Sequence, residues 1–264
     1  MTSKSFTFTH AIVRYPSHSS VNGLRAIDTG APDFEVFQQH HQRYIDALKS
    51  AGATLIALEA QEEYPDSVFV EDTALCLREG AVIMRPGAPT RQGETQLIQP
   101  ALTDLYGEVA NITGPGSVEG GDILVTEKEI LVGLSARTNR QGVEALTTIV
   151  SQWGYKVRVV QTPPDILHFK TDCSLLDEDT VLCTPALAAT GCFDGYRVIN
   201  TTPGESACAN TIRFNDIILM PEGFPATADK LTSAGYNVVC IGNSEAAKID
   251  GGMSCMSLRF SPPV

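Results

Sequence analysis

An α/β fold of five repeated ββαβ-type units closed into a ring is what this sequence predicts. Three observations carry that expectation. Helix-like and strand-like stretches alternate along all 264 residues, without a Pro/Ser-rich linker or low-complexity tract between them. Several helical stretches end in glycine and pass straight into an apolar strand: KSAGATLIALE, WGYKVRVVQ, SAGYNVVCIG and, more loosely, YGEVANITG. Finally, polar turns built around Asp72, Glu119, His168, Asn210 and Cys255 recur at intervals of roughly 42–49 residues, the range expected of a structural repeat.

Taken in order, FTHAIVRYP reads as a strand that could complete the last unit and close the ring. PDFEVFQQHHQRYIDALKSAG follows as a helix starting at Pro32 and Asp33, with Phe34, Phe37, His41, Tyr44, Ile45 and Leu48 on one stripe and a stop at Gly52. His41 on that stripe reads as packing. Each later unit offers two apolar runs after its polar turn. VFVEDTALCL leads to AVIMRPG, VEGGDILVT to EILVGLS, HFKTDCSLL to TVLCTPA, and SACANTIRF to DIILMPEG. TNRQGVEALTTIVSQWG and FPATADKLTSAG are further helices, ending at Gly154 and Gly235. No unit could bury its apolar face alone, and a closed ring leaves no free sheet end, so residues 1–264 read as a single unit with the polar turns converging at its centre.

Composition narrows the function. A net charge of −12 disfavours nucleic acid and anionic membranes as partners, and is compatible with a cationic small molecule. The seven cysteines are scattered and odd in number, without a CxxC pair, and the five histidines lack ligand spacing, so a structural zinc site is not expected. The first residues, MTSKSFTFTHAIVRYP, have one lysine and no long apolar segment, and no run of 18 apolar residues occurs. The cytoplasm, with reduced thiols, is the expected compartment. Monomer and homodimer both remain open.

The turns themselves hold Asp66, Glu71 and Asp72 in PDSVFVED, Glu119 and Asp122 in VEGGD, then His168, Asn210, and finally Asp250 and Cys255 in KIDGGMSC. If they share one face, a thiol, an imidazole and several carboxylates meet. A free thiol is only a few per cent ionised at neutral pH, so it needs a partner to become a nucleophile. Imidazole can move its proton, and a carboxylate can orient the imidazole. Plainer readings stand beside this one: Cys255 as a small buried hydrophobe, His168 as a satisfied core histidine, Gly120-Gly121 as a tight hairpin turn. Glu71 and Asp72 within an apolar strand are harder to place in a core, because unpaired buried carboxylates are costly. A surplus of carboxylates suits a guanidinium, which is planar, rich in N–H donors and always charged.

SVFVED, SVEGGD, LHFKT, GLSARTN, RPGAPTRQGE and KIDGGMSCMSLRF, in that company, resemble the dimethylarginine dimethylaminohydrolase family of the pentein, or guanidino-group-modifying, superfamily. The resemblance runs from HAIVRYP to the final SLRF. It implies a five-bladed α/β propeller and metal-free hydrolysis of Nω-methylated arginine to citrulline and an alkylamine. It further implies Cys255 as nucleophile, His168 as general acid/base and Glu119 as the supporting carboxylate. Glu71 and Asp72 would hold the guanidinium, Asp66 the amino-acid end, and Arg91 and Arg137 the substrate carboxylate. Leu24 would lie on a mobile loop, YPSHSSVNGLRAID, and Ile249 would supply a backbone contact. Related enzymes acting on free arginine or another guanidine, and a non-catalytic binding protein on the same propeller, are the alternatives.

Overall fold

The computed structural model describes residues 4–263; the very start of the N-terminal stretch considered above lies outside the described residues. Five three-stranded sheets make up its frame, and all five share one pattern. The first is split between the chain ends: β1 (His10–Arg14) pairs in parallel with β2 (Thr54–Leu58). Next come β3 (Ala74–Cys76), β4 (Ala81–Ile83) and β5 (Val109–Asn111), then β6 (Ile123–Val125), β7 (Ile130–Leu134) and β8 (Val157–Gln161). The last two hold β9 (Cys173–Leu175), β10 (Thr180–Cys183) and β11 (Arg197–Asn200), then β12 (Ile212–Phe214), β13 (Ile217–Pro221) and β14 (Asn237–Ile241). β15 (Leu258–Phe260) returns to pair antiparallel with β1, so the N-terminal strand does close the ring. In every sheet the first two strands form an antiparallel pair and the third runs parallel to the middle one.

A parallel neighbour cannot be reached by a hairpin and needs a crossover. Helix α1 (Phe34–Ser50) supplies it in the first sheet, α2 (Glu94–Tyr106) in the second and α3 (Arg140–Val150) in the third. The fourth has only the single turn α4 (Pro185–Ala188), and α5 (Pro225–Ser233) serves the fifth. Helix α1 begins where the sequence places it, with the Asp33 side chain accepting from the Val36 N–H. It buries Phe37, His41, Tyr44, Ile45 and Leu48 against Phe214, Leu219 and Met253.

The polar turns form short 3₁₀ segments just before the first strand of four sheets: Val70–Thr73, Gly120–Asp122, Phe169–Thr171 and Ser206–Ala209. Each touches the next in that order. The fifth turn is tied to the first by a hydrogen bond from the Glu71 N–H to the Cys255 carbonyl, 3.1 Å. The convergence expected from the spacing is therefore what the chain does.

Candidate active site

Glu119 and His168 form the centre of the site. Their side chains meet at 2.5 Å, Nε2 to Oε2, although the residues come from different sheets. The other Glu119 oxygen accepts from the Gly87 N–H at 2.8 Å and lies 3.5 Å from Arg137. Burial alone would raise the Glu119 carboxyl, but His168, Arg91 and Arg137 together hold it well below the usual range. For His168, burial pulls the other way. Asp72, Glu119 and Asp122 outweigh it and lift the imidazole to about 9, so it is protonated at neutral pH. Asp122, buried, accepts from the Phe169 N–H at 2.8 Å and so fixes the backbone beside the histidine.

Asp72 lies 4.0 Å from the imidazole and accepts from the Gly121 N–H at 2.9 Å. A Cβ on Gly121 would come within 2.8 Å of both Asp72 Oδ1 and the His168 ring. The second glycine of VEGGD is thus required by close approach, not by a left-handed turn. Asp72 also pairs with Arg91, whose guanidinium departs from expectation. It is buried, and its donors go to Asp72, Glu94 and the Phe69 and Asp66 carbonyls. Glu94 lies one turn on in the same PTRQGE motif and is itself buried, so the sequence contained the signal as an i,i+3 pair. Arg137, about one-fifth exposed at its side chain, is the more open of the two arginines.

Glu71 departs from expectation as well. Its oxygens are occupied by Lys170 at 2.6 Å, Arg259 at 2.7 Å and the Ser254 hydroxyl at 2.7 Å, rather than left for a ligand. A buried carboxylate needs such partners, and here they come from two other turns and from β15. The sequence signal was charge inside apolar or turn segments, Lys170 in LHFKT and Arg259 in MSLRF. A cavity of about 350 Å³ inside the ring is lined by Glu71, Lys170, Ser174 and Arg259 among others, but none of Asp72, Glu119, His168 or Cys255 lines it.

The Cys255 turn is held at almost every residue. Tyr44 donates to the Met253 carbonyl at 2.9 Å, Arg259 to the Ser254 carbonyl at 2.9 Å, and Ser254 N–H to Asn210 at 2.9 Å. Cys255 as a whole is nearly covered, 9% exposed. Burial pushes its pKa up, and Glu71 and Asp72 add to the rise, while the Gly252 N–H and Lys170 oppose it. At neutral pH Cys255 is therefore a thiol and His168 an imidazolium.

One wall is the loop carrying Leu24. Asp66 accepts from the Leu24 N–H at 2.9 Å, and Asp250 from the Ala26 N–H at 2.6 Å. Asp250 takes a positive φ of 58°, a conformation that Asp tolerates better than most residues. Ile249, buried, lies beneath Gly23 of the same loop. His18 packs in a tilted contact on Phe34 at 3.8 Å between ring centres, which gives it a packing place. One ligating atom each from Asp72, Glu119 and His168 lies within 4.8 Å of the others, a possible donor set for a metal ion. A metal there would have to displace the proton that His168 shares with Glu119.

Residues 60–219 match the arginine deiminase family. Over 254 residues the chain is 39% identical to N(G),N(G)-dimethylarginine dimethylaminohydrolase of Pseudomonas aeruginosa, covering 96% of this chain and 100% of that protein. The chain belongs to the dimethylarginine dimethylaminohydrolase family. Within this family, the Streptomyces coelicolor enzyme is 31% identical over 253 residues, covering 95% of this chain and 96% of its own. A cysteine-to-serine mutant of the Pseudomonas aeruginosa family member, solved in complex with citrulline, superposes with a TM-score of 0.94 over 97% of this chain and 100% of that one, at 39% identity. The N-terminal domain of ArgZ, an arginine dihydrolase of cyanobacteria, shares the fold at a TM-score of 0.85 and 20% identity, covering 96% of this chain and 98% of that one.

Proposed function

We propose that this protein hydrolyses Nω-methylated L-arginines, asymmetric dimethylarginine and monomethylarginine, to L-citrulline and dimethylamine or methylamine. The observation that carries the reading is the buried 2.5 Å Glu119–His168 pair sharing its surroundings, through Asp72, with a covered Cys255. In this proposal the guanidinium enters beside Asp72. Its charge offsets the carboxylates that hold the thiol protonated, the thiol proton passes to solvent water, and Cys255 becomes a thiolate in contact with its target carbon.

The sulfur attacks that carbon, and the imidazolium of His168 gives its proton to the departing amine as the C–N bond breaks. A thiouronium remains on Cys255. His168, now neutral, takes a proton from water, the hydroxide adds to the same carbon, and the C–S bond breaks to return the thiolate while the adduct's hydroxyl proton passes to solvent, releasing the neutral ureido product. Glu119 keeps the imidazole oriented and favours its charged form. Arg137 meets the substrate carboxylate, while Arg91 sets Asp72 and the Asp66 backbone behind it. Asp66 meets the amino-acid end of the substrate, Leu24 sits on the loop that closes over it, and Ile249 supplies a backbone contact. Glu71 acts one step back, fixing Ser254 beside the nucleophile. No metal or cofactor is needed for these steps. Seven free thiols suit a reducing cytoplasm, and no described helix is long and apolar enough to cross a membrane.

The test offers purified protein asymmetric dimethylarginine, monomethylarginine, arginine and agmatine, with Cys255→Ser as blank, and measures ureido product and released amine. Turnover of the methylated arginines, abolished in the blank, is expected. Turnover of free arginine alone would replace this reading with a deiminase or dihydrolase.

A further inference from the structure

Asn210 contributes the fourth polar turn, and the reaction above gives it no part. The residue is buried, 8% exposed, and its carboxamide reaches both the backbone and the sulfur of the Cys255 turn. The Ser254 N–H donates to Asn210 Oδ1 at 2.9 Å. That bond fixes which end of the amide is which, because a backbone N–H can only meet the oxygen. The Nδ2 group is thereby turned to Cys255 Sγ, 3.9 Å away. A second donor, the Gly252 N–H, reaches the same sulfur at 3.3 Å. A Cβ on residue 252 would come within 2.2 Å of the Asn210 amide, so the second glycine of DGGMSC is what lets the two donors share one atom.

These donors face the nucleophile where two carboxylates, Glu71 and Asp72, disfavour negative charge on it. We propose that Asn210 is a further catalytic residue, forming with the Gly252 N–H a two-donor pocket that holds the Cys255 sulfur as thiolate. The pocket acts twice: before attack on the guanidinium carbon, and when the sulfur departs from the thiouronium. Donors aimed at the place where charge develops contribute more than donors satisfied equally at every stage. The inference rests on the hydrolase reading, but ionisation of the thiol can be read without any substrate.

The experiment uses two variants. Asn210→Leu removes both bonds at similar volume. Asn210→Asp keeps an acceptor for the Ser254 N–H but replaces the donor to sulfur with a carboxylate oxygen. Iodoacetamide alkylation of Cys255 is followed against pH by peptide mass spectrometry, so that the other six thiols do not enter the reading. In both variants the pH of half-maximal alkylation should rise by about one unit or more. On a methylated arginine, kcat should fall by roughly tenfold to a hundredfold, with KM changing by less than about threefold. An unshifted alkylation midpoint in Asn210→Leu would overturn the proposal. So would an Asn210→Asp variant that alkylates and turns over like the parent protein, since Asn210 would then only anchor Ser254. Shifted alkylation without turnover of any methylated arginine in the parent protein would leave the pocket standing and remove the substrate assignment.

Discussion

His168 and His41 are both nearly closed off from solvent, 7% and 1% exposed, yet their surroundings drive them in opposite directions. At the ring centre, burial disfavours the charged imidazole, but Asp72, Glu119 and Asp122 more than reverse it, and His168 rises to about 9. On the buried stripe of α1, burial acts without a carboxylate, and His41 falls to about 4. His41 lies between the rings of Tyr15 and Tyr44, with no hydrogen-bond partner for Nε2 among the described residues. The contrast shows that burial alone does not give a histidine chemistry. What matters is whether neighbouring turns deliver charge to it.

The comparison can be broken at its strongest point first. Glu119→Gln removes the carboxylate that both orients His168 and favours its protonated form. It should lower kcat by roughly 10²–10⁴-fold. The same change should move the histidine titration, followed by NMR, downward from about 9. A variant with unchanged kcat and unchanged titration would mean that the pair at 2.5 Å is structural.

Arg137→Ala should act next most strongly. It should raise KM by about tenfold while altering kcat less, as expected for loss of uniform substrate binding. Steady-state kinetics on a methylated arginine checks this, and an unchanged KM would place the substrate carboxylate elsewhere.

The smallest effect is expected at His41. His41→Leu keeps the apolar stripe and should leave kcat within about twofold, with stability changed by no more than about 1 kcal/mol near neutral pH. Its signature lies in pH. His41 titrates lower in the fold than when unfolded, so the unfolded chain binds more protons between about 6.5 and 4, and stability falls as pH drops through that window. His168 does the reverse: its contribution is full below about 6.5 and is lost as pH rises through about 9. Thermal melts across pH should show His41→Leu flattening the acid flank and leaving the alkaline one intact. An acid flank identical to that of the parent protein would remove His41 from the account.

Much of this architecture could be read along the chain because its signals are local. The α1 stripe follows from a 3.6-residue period, and Asp33 caps it within one turn. Gly52, Gly154 and Gly235 stop helices because each adopts positive φ. The even spacing of Asp72, Glu119, His168, Asn210 and Cys255 fits one turn per sheet. Orientation was not legible in the same way. Glu71 and Asp72 are adjacent in sequence, yet one serves Lys170, Arg259 and Ser254 and the other Arg91 and Gly121. Adjacent side chains diverge, and which partner waits on each side depends on turns contributed by other sheets.

The sequence by itself determined a fivefold α/β ring and gathered a thiol, an imidazole and carboxylates at equivalent turns, since periodicity, capping and glycine punctuation are written residue by residue. Only the tertiary structure decided how those groups are wired. It brought Glu119 to His168 and gave Arg91 to Asp72 and Glu94. It also turned the Asn210 amide toward Cys255 across a glycine with no Cβ to block it. The physical reason is that a side chain's charge and hydrogen bonds are set by atoms within a few ångströms, and in a closed ring those atoms belong to distant parts of the chain.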